Sequence, residues 1–272
     1  MLRQLTLGLV VVLLVMSGST RASNDVSDKR ACEAGEPRCV GFVVKEMERR
    51  FRKLAKRCDH DAIFALLYLR TTETFRDTLD AIGYADPSSV IREDAVFADF
   101  YFRAFDAFHG GGGSVPQAWS VAFHAARNRA VQSPGNALLG FNAHIQRDLP
   151  FVLYELFRRG HPVSHDDHTL VNNFLAQVDA TAEIVERFDP TFDDNADPVG
   201  LFELIVSWRE LAFSNFVRLR DAATPEARAA VAAEIEALAG NTALGIAQAT
   251  AFPPGTDSTA RDAFCTEQRH HD

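Results

Sequence analysis

The chain has 272 residues, 47% of them hydrophobic, with 28 Lys and Arg against 37 Asp and Glu and a formal net charge of −9. That apolar content excludes a disordered chain, and the acidic balance repels phosphate backbones, so no nucleic-acid partner is expected. Beyond the first apolar segment, about 250 residues remain, enough to bury one large core.

The chain opens with Arg3, an apolar run from Leu5 to Met16 and small residues ending at Ala22, followed by polar Ser23, Asn24 and Asp25. Positive, apolar and small segments in that order predict a cleaved secretory signal peptide over residues 1–22. The run falls short of the ~20 apolar residues that span a bilayer. Losing Arg3 and Arg21 takes the charge to about −11. The mature chain, with no transmembrane segment, is expected to be secreted or held at the cell surface. In that oxidising compartment Cys32, Cys39, Cys58 and Cys265 should form two disulfides. Of the three pairings open to them, Cys32–Cys39 with Cys58–Cys265 is preferred, because the second would tie the C-terminal tail to the first long helix. Their spacing matches no zinc-binding pattern.

Apolar residues recur at every third and fourth position, and no alternating run of Val, Ile and Thr appears, so the fold class is all-α. A short N-terminal segment over 23–40 leads into one helical domain over 41–250, an antiparallel bundle of about eight helices. In chain order these are expected over 41–57, 60–82, 88–108, 115–132, 136–159, 166–188, 198–222 and 225–249, before an extended tail over 251–272. Gly83 ends the second, and Asp86, Pro87 and Ser88 start the third. The run Gly110 to Gly113 stops that helix, since each Gly costs about 1 kcal/mol relative to Ala. Thr224, Pro225 and Glu226 read as an N-cap, a first-turn Pro and an acid suited to the helix dipole.

The segment most suggestive of chemistry runs from Phe141 through Asn142, His144 and Asp148 to Pro150. At 100° per residue His144 and Asp148 share one stripe, at the border of the apolar stripe that carries Ile145, Leu149 and Leu156. Pro150 has no N–H for the carbonyl of Gln146, which predicts a kink just beyond Asp148. Imidazole and carboxylate one turn apart are a way for one helix to offer two ligands to zinc or another divalent metal. A carboxylate orienting a half-buried His is the plainer alternative. Further on, His165, Asp166, Asp167 and His168 precede Asn172, and the short connection makes the two helices antiparallel neighbours. His165 or Asp167 would then complete a metal set, while Asn142, Asn172, Asp99, Trp119 and Trp208 are candidate ligand-binding groups. For Asp99 the ordinary reading is an ion pair with Arg103, one turn on. His109 before four glycines has the look of an esterase oxyanion loop, but no GxSxG follows.

The run Asn142, Ala143, His144, Ile145, Asp148, Leu149, Pro150 resembles the NAHIxxDLP signature of an uncharacterised bacterial family, domain-of-unknown-function family 5995. Val96, Phe97, Ala98 and Tyr101 upstream, Trp119, then His165, Asp167, Val171, Asn172 and Trp208 downstream fit its pattern. His168 stands where the pattern has Tyr, and Asp99 where it often has Asn. The resemblance implies a helical fold and singles out His144, Asp148, His165, Asp167 and Asn172, without an activity. More distantly, the His-x-x-x-Asp step followed by Pro is similar to a zinc-ligating helix of the secreted, helical zinc phospholipase C and nuclease group. That group begins on a Trp ligand, whereas this mature chain would begin near Ser23.

Three functions follow as expectations. One is a secreted metal-dependent hydrolase in which His144 and Asp148 bind the ion and a metal-bound water attacks. Another is a non-catalytic binding protein whose Phe-rich helices enclose an apolar small molecule. The last is a purely structural polar network around the same pair.

Overall fold

A computed structural model describes residues 27–192 and 198–269. The expected signal peptide lies outside them. The protein is all-helical, with no strand among the described residues beyond one isolated bridge, Val131 to Ala251. A short helix α1 over 27–34 is followed by eleven further α-helices: α2 (Arg38–Ala55), α3 (Ala62–Ile82), α4 (Pro87–Gly110), α5 (Gln117–Arg127), α6 (Ser133–Phe141), α7 (Leu149–Arg158), α8 (His165–Leu175), α9 (Thr181–Arg187), α10 (Pro198–Asp221), α11 (Pro225–Ala249) and α12 (Thr259–Gln268). A π-helical segment, Asn142–Asp148, joins α6 to α7 without a break.

Expected helix boundaries hold where local chemistry sets them. Gly83 closes α3 at φ 80°, in the left-handed region where Gly has no steric penalty. Asp86 accepts from the Ser89 N–H to cap α4, and Thr224 accepts from the Ala227 N–H to cap α11.

Four departures raise the number of helices above about eight, the first being the π segment that divides the stretch expected over 136–159 into α6 and α7. The stretch expected as one helix over 166–188 is α8 and α9, because the Asp179 side chain accepts from the Thr181 N–H and starts a new helix. The N-terminal segment is partly helical. The tail, expected to be extended, carries α12. Tertiary bonds hold that helix: Cys265 is joined to Cys58, and Asp262 accepts from or pairs with His60 at 2.9 Å. The second disulfide is Cys32–Cys39, so both preferred pairings are present.

The continuous rod α6–π–α7 runs through the centre, with α3, α4, α5, α10 and α11 packed around it. Gly140 permits the close approach of α3, since a Cβ there would lie 2.2 Å from the Phe64 ring. One large apolar core and a smaller one built on Ile145, Leu149, Leu153, Ala212 and Phe216 both pack against Phe141. Helix α8 packs on α3, not alongside α7 as the short connection had implied. The reason is a buried carboxylate: Asp167 accepts from the N–H groups of Ala85 and Asp86 at 2.8 and 3.1 Å, pinning α8 to the α3–α4 turn. No described helix is long and apolar enough to cross a membrane.

Candidate functional site

Pro150 follows the π segment by two residues. Leu149 donates its N–H to the carbonyl of His144, five residues back, so the missing donor at Pro150 is absorbed by widening the helix. The widened turn carries the whole motif inward. His144 is 3% exposed and Asp148 0%, deeper than the border position expected from an ideal helical wheel.

Asp148 is fully engaged. Its Oδ2 accepts from the Trp119 indole at 2.8 Å and lies 3.2 Å from His144 Nδ1, while Oδ1 accepts from Arg147 at 2.9 Å. Arg147 is itself held by Glu236 of α11. With Asp148 accepting from two other donors, the His144 proton belongs on Nδ1. Burial holds the imidazole pKa below its usual value, opposed by Asp148, so the ring is neutral. It stacks on Phe97 at 3.5 Å and meets Tyr68 edge-on at 4.4 Å. Nε2, an acceptor in this tautomer, is buried and has no hydrogen-bond partner.

His144 stands in the wall of a cavity of about 450 Å³ whose other walls include Phe64, Phe97, Phe141, Ile145, Leu175 and Ile205. A side chamber of about 70 Å³ shares Tyr68, Thr71, Phe97, Leu175 and Arg209 with it and adds Glu93 and Asp94. The Tyr68 hydroxyl and Asp94 Oδ2 are also buried without a partner. Burial, with the neighbouring Glu93 carboxylate, pushes Asp94 up to about 8; burial raises Glu93 to about 7 against the pull of Arg209. Arg209, 4% exposed, donates from Nε to Asn172 Oδ1 at 2.9 Å and from Nη2 to the His168 carbonyl at 2.7 Å.

The remaining expected residues fall elsewhere. His165 is exposed and pairs with Glu210 at 2.9 Å. Asp167 caps the α3–α4 turn as described above. Asn142 donates to the Ala239 carbonyl and accepts from Gln146, and so fixes the π segment to α11. Asp99 pairs with Arg103 on the surface at 3.0 Å, its ordinary reading. Trp208 is half-buried against the smaller core. Of the expected residues, Trp119 and Asp148 stand behind His144, and Asn172 behind Arg209. Among the described residues no three His, Cys, Asp or Glu side chains are grouped to hold an ion.

A sequence model of a family of unknown function, DUF5995, matches residues 40–249. The chain belongs to this family. The matched span covers both chambers and everything that positions His144, and it leaves out α1, α12, Cys32, Cys39 and Cys265. Comparison with curated proteins and with solved structures gave no match.

Glu93, Asp94 and Tyr68 were not singled out from sequence. A signal existed for Asp94: it lies four residues after Val90, three before Phe97 and seven before Tyr101, an acid inside the apolar stripe of α4.

Proposed function

We propose that this is a secreted, non-catalytic binding protein for an apolar small molecule, which lies in the cavity of about 450 Å³ with its polar end toward His144. The observation that carries this reading is a buried, unpartnered His144 Nε2 in the wall of a mainly aromatic and aliphatic cavity. Apolar walls with a few convergent polar groups are what a small-molecule site requires, and a buried polar atom without a partner costs about 1–3 kcal/mol unless something meets it. The two disulfides agree with an extracellular setting.

The metal-dependent hydrolase draws less support. His144 Nε2 is free to ligate, but both Asp148 oxygens already accept hydrogen bonds, and His165 and Asp167 are engaged elsewhere.

The test is saturable binding of the neutral, apolar fluorophore N-phenyl-1-naphthylamine to the purified mature protein. One-to-one binding is expected, with at least tenfold weakening by Leu175→Trp, which fills a position lining both chambers. Absence of saturable binding, or binding that Leu175→Trp leaves unchanged while the circular dichroism is native, overturns the reading.

A further inference from the structure

We propose that the ligand of this cavity carries a protonated amine and that Asp94 is its counter-ion, in the side chamber next to Tyr68. This rests on the binding reading above and adds the chemistry of the head group.

The chamber presents acceptors. Thr71 and Thr72 donate their hydroxyl protons to the carbonyls of Leu67 and Tyr68, one turn back, so toward the cavity they can only accept. Asp94 Oδ2 has no donor, and His144 Nε2, in the wall of the adjoining larger cavity, offers a lone pair. Tyr68 is 5% exposed, lines both chambers, and its hydroxyl has no partner. His144 Nε2, Asp94 Oδ2 and the Tyr68 hydroxyl have no partner among the described residues, and each can accept from a head group rich in N–H donors.

Charge leads to the same class. Among the described residues Arg209 is the one guanidinium lining the chamber, which also holds two carboxyls, Glu93 and Asp94. Its field lowers Glu93, whereas Asp94 is raised by burial and by the like charge of Glu93. The other titratable groups nearby bring no positive charge. Tyr84 is kept neutral by burial, Asp167 is satisfied by backbone N–H groups, and His144 is neutral. Asp94 therefore keeps its proton near neutral pH, and an incoming ammonium supplies the absent counter-charge as that proton leaves. Tyr68, Phe75, Phe97 and Phe174 line the same chamber and offer ring faces or edges, which favour a cation over an anion where the face is presented. The larger cavity takes the apolar remainder.

The experiment is displacement of N-phenyl-1-naphthylamine from the full mature protein by decylamine, decanol and decanoate, below their micellar concentrations, at pH 6.0 and 8.5. Decylamine should displace at least tenfold more tightly than decanol, with decanoate weakest, and its affinity should rise toward pH 8.5. Asp94→Asn should remove the amine preference, whereas Asp99→Asn, an exposed carboxylate on the same helix, should keep it and leave all three affinities unchanged. Decanol or decanoate equal to decylamine, or an amine preference that survives Asp94→Asn, overturns the head-group assignment while the cavity reading stands. Failure of the fluorophore to bind at all overturns both.

Discussion

His144 with Asp148 and His165 with Asp167 are the same two residue types, a turn or less apart on two helical segments. The first pair is buried in the central rod, where the carboxylate is spent on orienting the imidazole. In the second the side chains part company: His165 reaches a surface Glu, and Asp167 turns inward to hold backbone N–H groups of a distant turn. Residue type and spacing are shared, so what separates a candidate site from a structural fastening is which neighbours each side chain meets after packing.

The comparison can be broken most directly by removing each acid. Asp148→Ala should cost about 3–5 kcal/mol, because it leaves the buried Trp119 and His144 donors unpaired and takes one of two carboxylate partners from Arg147. Chemical denaturation would read this, and a loss under 1 kcal/mol would show that the network is not a unit. His144→Ala comes next, at about 2–4 kcal/mol for the cavity left beside Phe97. Asp167→Asn should cost about 1–2 kcal/mol, since an amide oxygen replaces one of two carboxylate acceptors. His165→Ala, at an exposed contact with Glu210, should stay within about 0.5 kcal/mol. Equal losses at His144 and His165 would erase the distinction between the pairs.

A pH profile sharpens it. Asp94 is raised to about 8 from a usual value of 3.8, so between those limits the folded chain binds more protons than the unfolded one, and stability falls as pH rises. Asp94→Asn should therefore leave stability nearly unchanged at pH 4 and raise it by about 1–2 kcal/mol at pH 8.5 relative to the parent protein. Melting temperatures across that range check the sign.

The sequence by itself determined what lies within one or two turns of chain: the helical class, the caps at Asp86 and Thr224, the stop at Gly83, and the contact of His144 with Asp148. Each is set by spacing along a helix or by the conformational limits of one residue. The cystine pairing was preferred rather than dictated, and the fold places both pairs in bonding contact. Tertiary structure alone decided that α8 fastens to α3 and that α12 exists. It also decided that Tyr68 of α3, Asp94 of α4 and Arg209 of α10 surround one chamber beside His144. Periodicity reports the face a residue occupies on its own helix. Convergence of three helices on one space depends on how those faces pack, and no local pattern encodes it.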